Sequence, residues 1–217
     1  MTTVDLNALV ARVQTSPQQR RNANYIVSEF ALAGYSPAIA LAALANAWEE
    51  SRWQNDAWGD NGASGGLFQL NTAAGAGRGM TKAQIESPVL NTRRIIKEVQ
   101  DYGRHLLWQS TTSVPVAELA GTFARDIERP ADPALAASRR KQKMHELFPT
   151  VASLPANTLR WPITARAAAV ASMPLTSVQT IIQAPTSGAA WWGFAVSTTA
   201  VIASGVILLA AIRRIRG

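Results

Sequence analysis

The feature that most constrains this chain is an alanine- and leucine-rich segment that ends in two adjacent glutamates. Residues 37–48 are almost entirely apolar, and Glu49 and Glu50 follow directly. The many alanines allow neighbouring elements to pack closely, which is typical of a central buried helix. We therefore predict a buried helix with a carboxylate at its end, where packed side chains exclude water. Such desolvation raises the pKa of a carboxyl group, as a general acid near neutral pH requires.

A glycine-rich stretch follows this helix. Residues 54–80 contain seven glycines, which predicts a loop-rich connection with a short hairpin around 67–70. Glycine also lets the backbone approach a ligand without a clash at Cβ. Gln69 and Asn71 add amide donors and acceptors that suit a partner rich in hydroxyl groups. A buried carboxylate beside such a loop suggests a site that cleaves sugars.

The rest of the first 148 residues predicts a mainly α fold. Apolar residues at helical spacing indicate a short helix within residues 1–14 and five longer ones within a domain at 15–148. Serine or proline marks several of the starts. The five helices are predicted at 18–33, 37–50, from 88 to about 102, at 116–125 and at 134–147.

Several short motifs, taken in order, carry a family resemblance over roughly residues 20–148. They are Gly34-Tyr35-Ser36, Glu50-Ser51, Gly59-Asp60, Gly66-Leu67-Phe68-Gln69, Glu128-Arg129-Pro130 and Arg139. This pattern resembles the phage tail lysozymes, and it is similar to the lytic transglycosylases and goose-type lysozymes. One departure from the transglycosylase pattern is the doubled glycine, Gly65-Gly66, which lengthens the loop before Gln69.

The resemblance implies a lysozyme-like domain that cleaves the β-1,4 bond between N-acetylmuramic acid and N-acetylglucosamine in peptidoglycan. Glu50 is the expected catalytic acid and base. Glu49 is the rival, but it points about 100° away on the helix. No cofactor or metal is expected, since acid–base chemistry on a glycoside needs none. The chain has no cysteine and only two histidines, which excludes Cys-based and His-rich metal sites.

A second group of residues is expected to bind the substrate or support Glu50. Ser51 is predicted to cap the backbone or orient Glu50, since no base accompanies it as a nucleophile. Phe123 is predicted to line the cleft, with core packing as the alternative. Trp53 and Trp58 could stack on sugars or cover the core. The substrate-binding set comprises Ser51, Asp60, Ser64, Gln69, Asn71, Phe123 and Glu128.

The second catalytic carboxylate is left open by the sequence, with Asp56, Asp60 and Glu128 as candidates. Ala63 and Ala74 stand where the goose-type enzymes carry acids. This difference favours a mechanism with one acid, as in the lytic transglycosylases, where the C6 hydroxyl of the sugar attacks C1. An inverting or retaining hydrolase would need a second carboxylate.

The composition changes after residue 148. Residues 149–190 are rich in Pro, Ala, Ser and Thr and predict an extended linker. Residues 191–212 form an uncharged run of 22 residues, preceding a basic tail at 213–217. At ~1.5 Å per residue a helix of this length spans about 33 Å, which matches a membrane. We predict a C-terminal transmembrane helix at 191–212 with a cytoplasmic tail.

The predicted orientation suggests how the protein reaches the cell wall. A cytoplasmic tail places the enzyme domain outside the inner membrane, yet residues 1–16 do not resemble a signal peptide. Delivery from outside by an infecting particle resolves this conflict. We therefore expect a virion component, in a phage tail or an internal viral membrane, that reaches the host periplasm and inner membrane. It would open the wall for genome entry.

The expected partners are peptidoglycan, a host or viral membrane contacted through 191–212, and other virion proteins. All acidic residues lie before residue 151, and residues 151–217 carry five arginines. The positive charge thus belongs mainly to the tail, so no specific nucleic acid binding is expected. Two other classes stay open: a non-catalytic structural virion protein, and a membrane pore or injection component in which the apolar helix oligomerises.

Overall fold

The alanine-rich segment forms the central helix of the domain in the computed structural model, which describes residues 1–162. This helix, Pro37–Ser51, is capped at Ser36 and ends where Arg52 adopts a left-handed conformation. Every residue from Pro37 to Ala47 is buried, and the helices Pro17–Leu32, Val116–Phe123 and Pro133–Leu147 pack around it. The predicted central buried helix is confirmed, and its C-terminal end carries Glu50 to the surface of the core.

The fold is mainly helical, as predicted. A single π-helical turn, Ala124–Glu128, continues α7 without a break. The short helices α4 and α6 were not predicted, because each has too few residues to show a helical period. The helices are α1 (Leu6–Arg12), α2 (Pro17–Leu32), α3 (Pro37–Ser51), α4 (Lys82–Glu86), α5 (Pro88–Tyr102), α6 (Arg104–Gln109), α7 (Val116–Phe123) and α8 (Pro133–Leu147).

Two small sheets complete the described part of the chain. The strands are β1 (Thr2–Thr3), β2 (Trp58–Gly59), β3 (Ser64–Gly65), β4 (Leu70–Asn71) and β5 (Leu159–Arg160). Strands β2, β3 and β4 form an antiparallel sheet in that order, with Gly65 paired to Trp58 on one side and Leu70 on the other. The hairpin predicted at 67–70 is therefore the turn between β3 and β4, within a sheet of three strands.

The doubled glycine fixes this sheet against α5. Gly66 has a φ of +75°, and a Cβ there would lie 2.2 Å from Asn91 Nδ2. The buried Asn91 accepts a hydrogen bond from the Phe68 N–H at 3.1 Å and donates one to the Ile85 carbonyl at 2.9 Å. Only glycine fits this close contact. The extra glycine therefore serves the packing of the loop on α5.

The start of the predicted linker differs from the structure. Residues 150–162 pack on the domain, where Val151, Ala152, Ala156 and Leu159 are buried. Strand β5 pairs in parallel with β1, so this segment also holds the N-terminus. The apolar side chains spaced through 151–159 give the segment a buried face. The sequence did not predict this packing, because the nearby prolines are typical of a linker.

The remaining C-terminal predictions lie outside the described residues. They are the rest of the linker to residue 190, the apolar helix at 191–212 and the basic tail at 213–217. Within residues 1–162, no helix has the length and apolar character needed to cross a membrane.

Candidate active site

A cleft of about 520 Å³ opens where the end of α3 faces the small sheet β2–β4. Its opposite wall is the π-helical turn and the two residues after it, and Ile95 of α5 contributes apolar lining. The cleft collects five of the polar residues that the sequence singled out: Glu50, Asp60, Gln69, Asn71 and Glu128.

Glu50 lies at the cleft with about a quarter of its side chain exposed (26%). Burial raises the pKa of this carboxyl group above its usual value, and the Glu49 and Asp60 carboxylates raise it further, whereas Arg140 lowers it. Glu49 does not line the cleft. Its oxygens lie 3.6 Å from Lys143 Nζ and 3.7 Å from Arg140 Nη1. The geometry therefore favours Glu50 over its neighbour as the reacting acid.

Arg140 of α8 connects the two glutamates of the cleft. Its guanidinium is buried and donates hydrogen bonds to Glu50, to Glu128 Oε2 at 3.1 Å and to Asn46 Oδ1 at 3.1 Å. Asn46 is itself fully buried and donates to the carbonyls of Ala42 and Ala120. This chain of contacts fixes one cation between two carboxylates in a water-poor site.

The arginine of α8 that binds Glu50 is Arg140, not the Arg139 quoted in the family pattern. Arg139 is exposed on the outer face of α8, and Arg140 points inward. The helical spacing places Arg140 on the buried face of α8, because it lies four residues before the buried Met144 and four after the half-buried Ala136. A charged residue on the buried stripe of an amphipathic helix indicates a partner of opposite charge inside the fold.

Glu128, in the π-helical turn, is the most perturbed acid of the site. Burial raises the pKa of its carboxyl group to about 8. The neighbouring Glu50 carboxylate also raises this pKa, whereas Arg140 lowers it. Its Oε1 atom is buried and has no hydrogen-bond partner within residues 1–162. An ionised oxygen without a partner is costly to bury, so burial favours the protonated form of this carboxyl group.

Asp60 forms the rim of the cleft on the sheet side, and Ser64 of β3 supports it. Ser64 Oγ donates a hydrogen bond to Asp60 Oδ2 at 2.6 Å. Ser64 is buried beneath the strand and does not line the cleft, whereas Asp60 is exposed and does. The serine thus holds the aspartate in place rather than facing a ligand.

Gln69 and Asn71 use part of their amide groups to shape the loop. Gln69 Nε2 donates to the carbonyls of Ala57 and Gly66, both at 3.1 Å. Asn71 Oδ1 accepts from the N–H groups of Ala73 and Ala74. Gln69 Oε1 and Asn71 Nδ2 take part in none of these bonds, and both residues line the cleft.

Most of the described domain matches a known protein family. Residues 21–149 match the family model described as phage tail lysozyme, and this match covers more than half of the chain. The chain belongs to the phage tail lysozyme family. Its class is therefore that of a lysozyme-like glycosidase, with peptidoglycan as substrate and association with the virion. Nothing among the curated proteins or the solved structures matches this chain.

Two further residues of the expected substrate-binding set, Ser51 and Phe123, do not line the cleft. For Ser51 this agrees with its expected contact to the backbone. Ser51 is buried, and its Oγ donates to the carbonyls of Ala47 at 3.0 Å and Leu67 at 2.9 Å, which ties α3 to the glycine-rich loop. Phe123 is fully buried between Phe30 and Phe68. It is a core residue, and Phe68 lines the cleft in its place.

The tryptophans near the site are structural as well. Trp53 is fully buried and donates from Nε1 to the Leu44 carbonyl at 2.9 Å. Trp58 donates to Glu86 at 2.8 Å and does not line the cleft. Asp56, a candidate second carboxylate, also lies outside the cleft lining. Within residues 1–162, no three His, Asp or Glu side chains converge on a possible metal site.

The burial of Glu128 predicts how the stability of this phage tail lysozyme depends on pH. The unfolded carboxyl group titrates near 4.5 and the folded one near 8, so the folded state holds the extra proton between these values. Stability is therefore expected to fall as pH rises from about 4.5 to about 8. In Glu128→Gln this fall is expected to be weaker, measured by urea unfolding at pH 5 and pH 8. Equal slopes in both proteins would contradict the assignment.

Proposed function

We propose that this protein cleaves the β-1,4 bond between N-acetylmuramic acid and N-acetylglucosamine, with Glu50 as the general acid and then the general base. The observation that carries the proposal is a partly buried Glu50 at a polar cleft, with its pKa raised by desolvation. A raised pKa lets a carboxyl group hold a proton near neutral pH and deliver it to a leaving oxygen.

The position of Arg140 supports both steps of this reaction, the donation of a proton by Glu50 and the later removal of one. When Glu50 gives its proton to the glycosidic oxygen, it becomes a carboxylate beside a guanidinium that is already in place. That cation stabilises the charge that develops, without reorganisation during the step. The carboxylate can then remove the proton of the hydroxyl group that attacks the anomeric carbon, which returns Glu50 to its acid form.

The placement of the other acids favours a mechanism with a single catalytic carboxylate. Glu50 and Glu128 both bind the same nitrogen, Arg140 Nη2, so the guanidinium lies between them. A retaining hydrolase needs a nucleophile and an inverting one needs a base across the scissile bond. Asp60 is the remaining acid of the cleft, and it is engaged by Ser64 at the rim. Attack by the C6 hydroxyl of the sugar requires neither, so a lytic transglycosylase is the favoured reaction.

In the virus, this activity would open the host wall locally while the genome enters. The family supports a virion-associated enzyme, and the apolar run at 191–212 followed by arginines supports contact with a membrane after the wall is breached. Other virion proteins would hold the enzyme until ejection.

Analysis of the products tests the proposal. Purified peptidoglycan is digested with the full-length chain, kept in mild non-ionic detergent because of its apolar segment, and the fragments are identified by mass spectrometry. We expect anhydromuramic ends. Reducing ends would still show a glycosidase, but hydrolysis would require a second catalytic group, and Asp60 is the first residue to test. Release of free peptides alone, or no cleavage by folded protein, would contradict the proposal and favour a structural virion protein.

A further inference from the structure

Aromatic side chains are exposed on the surface that follows α5. Trp108 of α6 is 61% exposed and Tyr102, the last residue of α5, is 53% exposed. His105 lies between them in sequence, with 47% of its side chain accessible. Three exposed rings within seven residues form one concentrated aromatic surface, and contiguous exposed patches of this kind mark binding sites more often than single exposed residues do.

The rings are held in fixed positions. The His105 ring stacks on Trp108, with centroids 5.9 Å apart and an angle of 17° between the planes. His105 Nδ1 lies 3.3 Å from Asp126 Oδ2 and 3.0 Å from Arg125 Nη2. A ring that is already ordered loses little conformational freedom when a ligand binds to it.

This surface continues into the cleft through the π-helical turn. Arg125 and Asp126 contact His105, while Ile127 and Glu128 line the cleft. Arg129, the next residue, belongs to both surfaces. It lines the cleft, and its guanidinium lies 4.4 Å from the centroid of the Tyr102 ring.

Arg129 is itself positioned by a buried acid. Its Nη2 donates to Glu98 Oε2 at 2.9 Å, and Glu98 is 5% exposed. The residue adopts a left-handed conformation, with a φ of 53°, directly before Pro130. The guanidinium is therefore held at the boundary between the cleft and the exposed rings.

We propose that Tyr102, His105, Trp108, Arg125 and Arg129, termed the aromatic rim, bind a distal part of the peptidoglycan strand that is being cleaved. The rim adds a binding site outside the cleft and rests on the proposed glycosidase function. Sugar rings have apolar faces that cover an exposed aromatic ring. The stem-peptide carboxylates of the polymer match the two arginines. A long strand thus contacts the rim while its scissile bond lies beside Glu50.

Binding in the absence of cleavage tests the aromatic rim. The full-length Glu50→Gln chain and the same chain with Trp108→Ala are sedimented with insoluble peptidoglycan. Truncation of a central tryptophan contact is expected to weaken binding by about tenfold. The matched control is Tyr25→Ala in the same background. Tyr25 is an aromatic residue of α2 that is 43% exposed and does not line the cleft, and its loss is expected to leave retention unchanged.

The outcomes separate the rim from the catalytic proposal. If the chains with and without Trp108→Ala are retained equally on peptidoglycan, the proposal of an aromatic rim is overturned, whether or not the unmodified chain cleaves the polymer. A loss of self-association in Trp108→Ala, measured by sedimentation velocity, with unchanged retention also overturns it and shows that a second copy of the chain covers these rings. Weaker retention specific to Trp108→Ala supports the rim even if the unmodified chain proves inactive.

Discussion

Replacing Glu50 with glutamine is expected to lower the rate of peptidoglycan cleavage by about a thousandfold. Glutamine keeps the size and the hydrogen-bonding capacity of the side chain at the cleft, but it cannot donate a proton to the glycosidic oxygen. Loss of a positioned general acid typically removes about 10²- to 10⁴-fold of the rate, and here the same group also serves as base. The rate is measured by release of soluble fragments from purified peptidoglycan.

Glu49→Gln is the matched control for this experiment. The two residues are adjacent on α3, and both contact Arg140, but only Glu50 lines the cleft. The control is expected to keep most of the activity, and circular dichroism should show that both variants are folded. Similar losses in the two variants would show that the rate depends on the charge around Arg140 rather than on a proton from Glu50.

Replacing Arg140 with methionine is expected to impair both folding and catalysis. The side chain is buried, and its removal leaves the Glu50 and Glu128 carboxyl groups without the cation that both of them contact. Breaking a buried ion pair by removing one partner costs about 3–5 kcal/mol. The loss is measured as the change in the free energy of unfolding in urea. Activity is expected to fall as well, because Glu50 loses the group that stabilises its ionised form.

The neighbouring Arg139 supplies the matched control for Arg140. It is exposed on the same helix, so Arg139→Met is expected to change stability by less than about 0.5 kcal/mol. The double variant Arg140→Met with Glu128→Gln should recover part of the lost stability, since it removes one of the two carboxyl groups left without the arginine. Equal effects of the two single variants would contradict the structural role of Arg140.

The central helix and the position of Glu50 were predictable because their signals are local. An apolar run of alanines and leucines defines α3. The end of this run fixes the position of Glu50 independently of the residues that pack against it. The glycines likewise located the loop. The family resemblance placed the chain among the phage tail lysozymes before any contact was known, and the family match confirms it.

The parts that sequence did not predict depend on contacts between distant residues. Arg140 lies 90 positions from Glu50, and which of the two arginines in α8 points inward depends on how α8 packs against α3 and α7. The sequence left both the cleft and the core open for Phe123, which is a core residue because the buried face of α7 includes it. Ser51 and Ser64 are short polar residues whose backbone and carboxylate partners appear only once the loop is folded.

The pH dependence of kcat/KM is the measurement that most directly tests whether a buried, protonated Glu50 drives the reaction. A general acid works only in its protonated form, so the rate must fall as pH rises through its pKa. Because burial raises the pKa of Glu50, the full-length chain is predicted to lose activity along a limb that lies clearly above pH 4.5. Activity that instead rises through pH 4.5 and shows no fall up to about pH 9 would contradict the proposal, since the ionised carboxylate would then be the active form.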